Sequence, residues 1–189
     1  MTSYLKSRIG FLPSLGYNLV LEKLGHRVWY HEICPHVVLG AIPLWSSVDD
    51  LVQNVGVKAV LSMNEKFELK YLTPTDEQWL SMGVVQLNLP VVDFVGSPTR
   101  QQIHQGVQFI HDNVSKQCTV YIHCKAGRSR SATMLACYLL RHWQLTPQEA
   151  TAFLIEKRSH VVFGDTNLRT IQHYYDYLKT NKIVQNENC

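Results

Sequence analysis

The sequence predicts an α/β fold: a largely parallel sheet covered by helices on both faces. Four continuous apolar runs, the mark of strands buried on two sides, alternate with helical patterns. Helical patterns then accumulate toward the C-terminus, supplying the outer layers such a sheet needs. The chain has 189 residues, 46% of them hydrophobic, enough for one domain with a real core.

The elements follow in order. Residues 1–21 contain Lys6 and Arg8 but no acidic residue, with Leu5, Ile9, Leu12, Leu15 and Leu19 at helical spacing. That composition suits a mitochondrial transit segment or a helix lying on a membrane surface. It suits equally an amphipathic first helix interrupted by Pro13 and Gly16. Strands are expected at 37–44, 57–63, 84–89 and 119–123. Between them fall helices at 47–55, 75–82 after the Pro74 turn, and 99–113 after Pro98, the last striped by Ile103, Val107 and Ile110. A helix at 129–142 follows the fourth strand. The next opens with Thr146 as N-cap, Pro147 in the first turn and Glu149 completing a capping box. A last amphipathic helix, 167–179, closes the domain.

Composition excludes several functions. The net charge of +3 carries no block of like charges, so nucleic acid is not an expected partner. Cys34, Cys118, Cys124, Cys137 and Cys189 form no CxxC pair and no zinc spacing, so no metal is expected. An odd cysteine count without a framework suggests a reducing compartment. No run of 18 apolar residues is present, so no transmembrane span is expected.

The fourth strand leads into "HCKAGRSRSATM", a lone cysteine in a basic, glycine-containing loop before a helix. At a strand–loop–helix junction the loop N–H groups and the helix N-terminus favour an anion. Five residues separate Cys124 from Arg130, so the loop can curl until the guanidinium meets the space above the sulfur. Lys125, Ala126, Gly127, Arg128, Ser129 and Arg130 would then surround a phosphate, with Gly127 permitting the curled backbone. The same field makes Cys124 a thiolate and nucleophile. Arg130 can grip two phosphoryl oxygens, and Ser131 can hydrogen-bond the sulfur. His123 orders the loop from below. Lys125 and Arg128 either add positive charge at the pocket rim or simply face solvent.

The HCxxGxxRS string resembles the signature of the cysteine-dependent phosphatases, and the short single domain resembles their dual-specificity branch. The resemblance implies a central, mostly parallel sheet of about five strands flanked by helices. It also implies hydrolysis through a phosphocysteine, without metal or organic cofactor. Family members draw a general acid from a loop upstream of the cysteine. In "LNLPVVDFVGSPTR" the carboxylate that fits is Asp93, which could otherwise serve an Asx turn. Asn167 or Thr166 could position the hydrolytic water, or cap the last helix.

The stretches "RVWYHEICPHVVLGAIPL", "VLSMNEKFE", "GVQFI" and "KRSHV" are similar to the mitochondrial members of that branch that act on phosphatidylglycerophosphate. The likeness spans roughly residues 27–163. It implies an anionic phospholipid substrate on the route to cardiolipin, activity on phosphoproteins as well, and peripheral attachment to the matrix face of the mitochondrial inner membrane. A monomer is expected. Where the resemblance calls for acidic residues around a tyrosine, this chain has Glu65-Lys66-Phe67-Glu68, which makes Glu65 and Glu68 site candidates. The chain divides accordingly into a targeting or membrane-contact segment (1–25), a catalytic domain (26–180) and a tail (181–189). The competing functions are a phosphoprotein phosphatase and an inactive phospho-binding module; Cys124, Arg130 and Asp93 together disfavour the second.

Overall fold

The computed structural model describes residues 3–183, with side chains from Arg8 onward. The Leu5 and Lys6 side chains and residues 184–189 of the expected tail lie outside that description. The elements run α1 (Ser3–Lys23), β1 (Tyr30–Cys34), β2 (Val37–Gly40), α2 (Trp45–Asp49), β3 (Val57–Ser62), α3 (Lys66–Leu69), α4 (Asp76–Ser81), β4 (Val85–Asn88), α5 (Arg100–Val114), β5 (Thr119–His123), α6 (Arg130–His142), α7 (Pro147–Lys157) and α8 (Asp165–Thr180). A π-helical turn, Asp50–Asn54, extends α2, so the expected helix at 47–55 appears as two joined pieces.

The five strands form one sheet in the order β1-β2-β5-β3-β4. Only β1 runs antiparallel to its neighbour; β2, β5, β3 and β4 are parallel. This is the mostly parallel, helix-flanked sheet the sequence implies. β5 is central because "VYIH" is apolar on both faces, and four of its five residues are fully covered. One core layer joins β5 and β3 to α5, α6 and α8 through Ile122, Leu61, Val107, Leu135 and Ile171. The opposite face packs Val60, Tyr121, Trp79 and Leu51.

Three sequence expectations are revised. The strand expected at 37–44 stops at Gly40, where the chain turns past the β5 end and Tyr121 Oη donates to the Ala41 carbonyl at 2.7 Å. β1 and α3 were not expected. Finally, α1 runs through Pro13 without interruption. Pro13 cannot donate to the preceding turn, but Ser14 Oγ donates to the Gly10 and Phe11 carbonyls at 2.5 and 3.0 Å. Phe11 and Leu15 anchor the helix on Ile42, so α1 packs against the residues that follow β2.

The Thr75, Thr99 and Thr146 capping boxes each start a helix. Thr99 matters most for the site: it fixes where α5 begins and so where the preceding loop, 89–98, must end.

Candidate active site

The loop between β5 and α6 is shaped from outside. The Lys125 carbonyl accepts from Ile42 N–H at 3.3 Å and the Arg128 carbonyl from Val162 N–H at 3.0 Å. The Ala126 and Gly127 carbonyls accept from the Arg158 guanidinium at 3.4 and 3.0 Å. In a trans planar peptide the next N–H points opposite to its carbonyl. Four carbonyls held outward therefore turn the N–H groups of 126–129 inward, toward one point. Gly127 adopts φ 62°, and a Cβ there would lie 2.4 Å from the Gly40 carbonyl oxygen. No other residue fits.

Cys124 lies buried beneath that point, at the end of β5. Ser131 Oγ donates to its sulfur at 3.2 Å. Burial pushes the thiol up, but the Arg130 charge, the Ser131 hydroxyl and the Ser131 and Arg128 N–H groups outweigh it, leaving the thiol below its ordinary range. The N-terminus of α6 works in the same sense. His123 is pushed down to about 3 by burial; a hydrogen bond to the Cys124 backbone opposes this and the Arg130 charge adds to it. So low a basicity makes it a poor proton acceptor at physiological pH and suits a ring that orders the loop.

Arg130 is gripped before any substrate arrives. Its Nη1 and Nη2 donate to the two oxygens of Glu68 at 2.8 and 3.0 Å, and Nη1 also donates to the Val91 carbonyl at 2.9 Å. Burial alone would lower its pKa, yet Glu68, Cys124 and Asp93 together raise it. Glu68 reaches this position because α3 begins with a capping box: its Oε2 accepts the Glu65 N–H at 2.7 Å while Glu65 is the N-cap. Of the two acidic candidates, Glu68 thus enters the site and Glu65 serves the helix that delivers it.

Asp93 sits on the 89–98 loop with Oδ1 3.0 Å from Arg130 Nη2 and Oδ2 paired to Lys125. The upstream carboxylate and the cysteine loop therefore meet across the cleft. Lys125 is not a rim charge. Its amine is buried, bonded to Asp93 and, at 2.6 Å, to Ser14 Oγ, with the Phe94 ring 4.2 Å away. Arg128 does stand at the mouth, its Nε donating to the His160 carbonyl at 2.9 Å.

Asn167 lies in the third position of α8, where Oδ1 accepts from Ser129 Oγ at 2.8 Å and Gly164 N–H at 3.1 Å. It ties the loop to the start of α8. Thr166 lines the cleft beside it. The whole cleft holds about 640 Å³ and gains a wall from α1 through Ser14, Tyr17 and Asn18. Among the described residues no three His, Cys, Asp or Glu side chains converge as metal ligands.

Two contributors escaped sequence reasoning. One is the α1 wall. The other is Arg158, whose fully buried guanidinium also donates to the Val28 and Trp29 carbonyls at 3.1 and 3.2 Å and meets His31 Nδ1 at 2.7 Å. Burial pushes it down to about 10, so it keeps its charge at neutral pH. In "EKRSHV" it reads as one more polar residue at a helix end.

The arrangement gathers a thiol of lowered pKa, inward N–H donors, the Arg130 guanidinium with its unpartnered Nε–H and the Asp93 carboxyl group around one cleft. That set can attack, hold and protonate a phosphate monoester. Comparison with known proteins agrees. The dual specificity phosphatase catalytic domain matches residues 41–177. The phosphatidylglycerophosphatase and protein-tyrosine phosphatase 1 of Rattus norvegicus is 41% identical over 172 residues, 89% of each chain. The phosphatidylglycerophosphate phosphatase PTPMT1 of Arabidopsis thaliana is 33% identical over 97% of this chain and 52% of its own. A crystal structure of PTPMT1 in complex with PI(5)P superposes with a TM-score of 0.79 at 38% identity, covering 82% of this chain and 99% of that one.

Proposed function

The chain belongs to the dual-specificity phosphatase family, and we propose that it hydrolyses phosphatidylglycerophosphate to phosphatidylglycerol. The support for that substrate is the name of the rat relative, 41% identical over 89% of the chain. The Cys124 thiolate attacks phosphorus, and the phosphoryl oxygens lie against Arg130 and the inward N–H groups of 126–129. Ser131 steadies the sulfur. As the P–O bond breaks, Asp93 in its protonated form, its ion pairs to Lys125 and Arg130 opened by the incoming phosphate, gives its proton to the departing glycerol oxygen. Water then attacks the phosphocysteine, Asp93 takes a proton from it, and the S–P bond breaks to return the thiolate and release phosphate.

In this reading the enzyme works as a monomer without metal or organic cofactor, at the matrix face of the mitochondrial inner membrane, on the route to cardiolipin. The acid-free start of the sequence supports the mitochondrial address. A second reading, hydrolysis of phosphotyrosine or phosphothreonine in proteins, is supported for phosphotyrosine by the same relative's double name and for both by the dual-specificity domain. The deciding measurement is kcat/KM on phosphatidylglycerophosphate in detergent micelles against a phosphopeptide panel. A higher value on peptides overturns the lipid assignment. Fractionation of mitochondria tests the location, and protein in the matrix wash without added salt refutes a membrane address.

A further inference from the structure

Apolar side chains crowd the mouth of the cleft. Tyr17, Phe94, Val95 and Val162 all line it, yet each is about half exposed or more. Phe94 is 68% exposed. It also holds φ 66°, a left-handed conformation that a bulky residue adopts only at a cost and that Asn or Gly would take easily. The ring meets the Lys125 amine at 4.2 Å and passes beside Gly10 of α1, yet most of it stays uncovered, so the conformation stands the ring at the mouth beside the acid Asp93.

The outer face of α1 continues the same surface. With Phe11 and Leu15 turned inward, Ile9, Leu12, Val20 and Leu24 point outward, and each is more than half exposed. A helix apolar on both faces needs a partner on the second. Lys23 ends α1 as an exposed cation. Arg128 and Arg169 add cations at the cleft mouth. Exposed apolar side chains flanked by cations and gathered round a phosphate-binding cleft match an anionic bilayer surface.

We infer that the outer face of α1 and the rim residues Tyr17, Phe94, Val95 and Val162 form a bilayer-docking surface that seats the cleft over the lipid headgroups. The surface rests on the lipid-phosphatase reading above, and extends it by naming the residues that enter the membrane interface. Phe94 is the wedge nearest the reaction. Seated this way, the enzyme need not pull a lipid out of the bilayer: the acyl chains stay in place and only the phosphorylated headgroup enters.

The test is binding of the full chain to sedimented phosphatidylcholine vesicles with and without phosphatidylglycerol. Phe94→Asn keeps the left-handed backbone and removes the ring, and Leu12→Gln strips the α1 face. Each should weaken binding by about tenfold, as loss of one buried apolar side chain requires. Leu80→Gln, which removes an equally exposed leucine on α4, should change nothing. In Phe94→Trp, lipids brominated on the acyl chains should quench fluorescence beyond the parent's quenching, a readout independent of how Phe94→Asn folds. Binding of Phe94→Asn and Leu12→Gln equal to wild type, or no extra quenching, overturns the inference. So does a wild-type dimer that Leu12→Gln dissociates while vesicle binding persists, since the face would then serve a second copy. Wild-type activity on phosphatidylglycerophosphate in detergent micelles is measured alongside. Its absence removes the substrate reading itself, whereas its presence with unchanged vesicle binding removes only the docking surface.

Discussion

Glu68→Gln is the sharpest probe of how the site is held. The fully buried carboxylate accepts three hydrogen bonds: two from Arg130, at 2.8 and 3.0 Å, and one from Glu65 N–H at 2.7 Å. Glutamine has the same shape but one acceptor oxygen. If that oxygen keeps the Oε2 contacts, its amide nitrogen faces Arg130 Nη2, donor against donor. One charge-assisted bond is then lost, worth about 1.5–3 kcal/mol. Glu68 fixes the far edge of the guanidinium and so aims the otherwise unpartnered Nε–H, with the Nη2–H that Asp93 now shares, at the phosphoryl group; a loosened guanidinium passes this loss to the transition state. At 1.36 kcal/mol per decade the expected fall in kcat/KM on p-nitrophenyl phosphate is roughly 10- to 150-fold. Inhibition by inorganic phosphate should weaken in parallel, because the same guanidinium binds the product. Urea denaturation should show a lower midpoint with an unchanged slope. A Glu68→Gln enzyme that is stable, within twofold of wild type and equally sensitive to phosphate would show that Val91 and Asp93 hold Arg130 unaided.

Other expectations follow from the same geometry. Cys124→Ser should abolish turnover while phosphate still binds, and rapid-quench trapping should yield a phosphoenzyme from wild type alone. Asp93→Asn should cost about 10²- to 10⁴-fold in kcat on a glycerol phosphate ester, whose leaving group needs a proton, and far less on p-nitrophenyl phosphate; equal losses would make Asp93 a residue that shapes the loop. The rate of Cys124 alkylation against pH should inflect below the ordinary thiol value of about 8.5, and Ser131→Ala should move the inflection up. Because folding lowers this pKa, the thiolate's contribution to stability is full above the unfolded value. It is lost as pH falls through the folded one. Arg158→Met should raise the same inflection and lower kcat, with partial rescue by Lys; a drop in melting temperature alone would leave Arg158 a structural residue.

Legibility in the sequence followed burial and distance along the chain. β5 and β3 were readable because both their faces are largely covered and their apolar runs are interrupted only by Lys58. β1 was not, since "YHEIC" lies at the sheet edge with mostly part-exposed side chains. Its pairing comes from the Pro35-His36 turn, with His36 at φ 64°. α3 has four residues, too few for any periodicity to show. Cys124, Gly127, Arg130 and Ser131 were readable for the opposite reason: one loop carries them, and their spacing alone brings them together.

The groups that hold the loop in place lie far away in sequence, and their identity gives no hint of their use. Glu68 is 62 residues from Arg130, and Ser14 is 111 from Lys125. Arg158 shows why such groups stay hidden. A buried arginine ordinarily announces itself through a carboxylate partner, but the bonds of Arg158 go to carbonyls and one imidazole. Carbonyls exist at every position, so no pattern of side chains can mark the ones it will meet. Only the fold brings Ala126 and Gly127 to one side of Arg158 and Val28 and Trp29 to the other. The same guanidinium therefore joins the loop that holds phosphate to the segment that leads out of α1. Removing residues 1–25 would strip Ser14 from Lys125 and the Phe11–Leu15 anchor from Ile42. Such a truncation would alter the cleft wall together with any membrane contact. Point changes on the outer face of α1 separate those two effects.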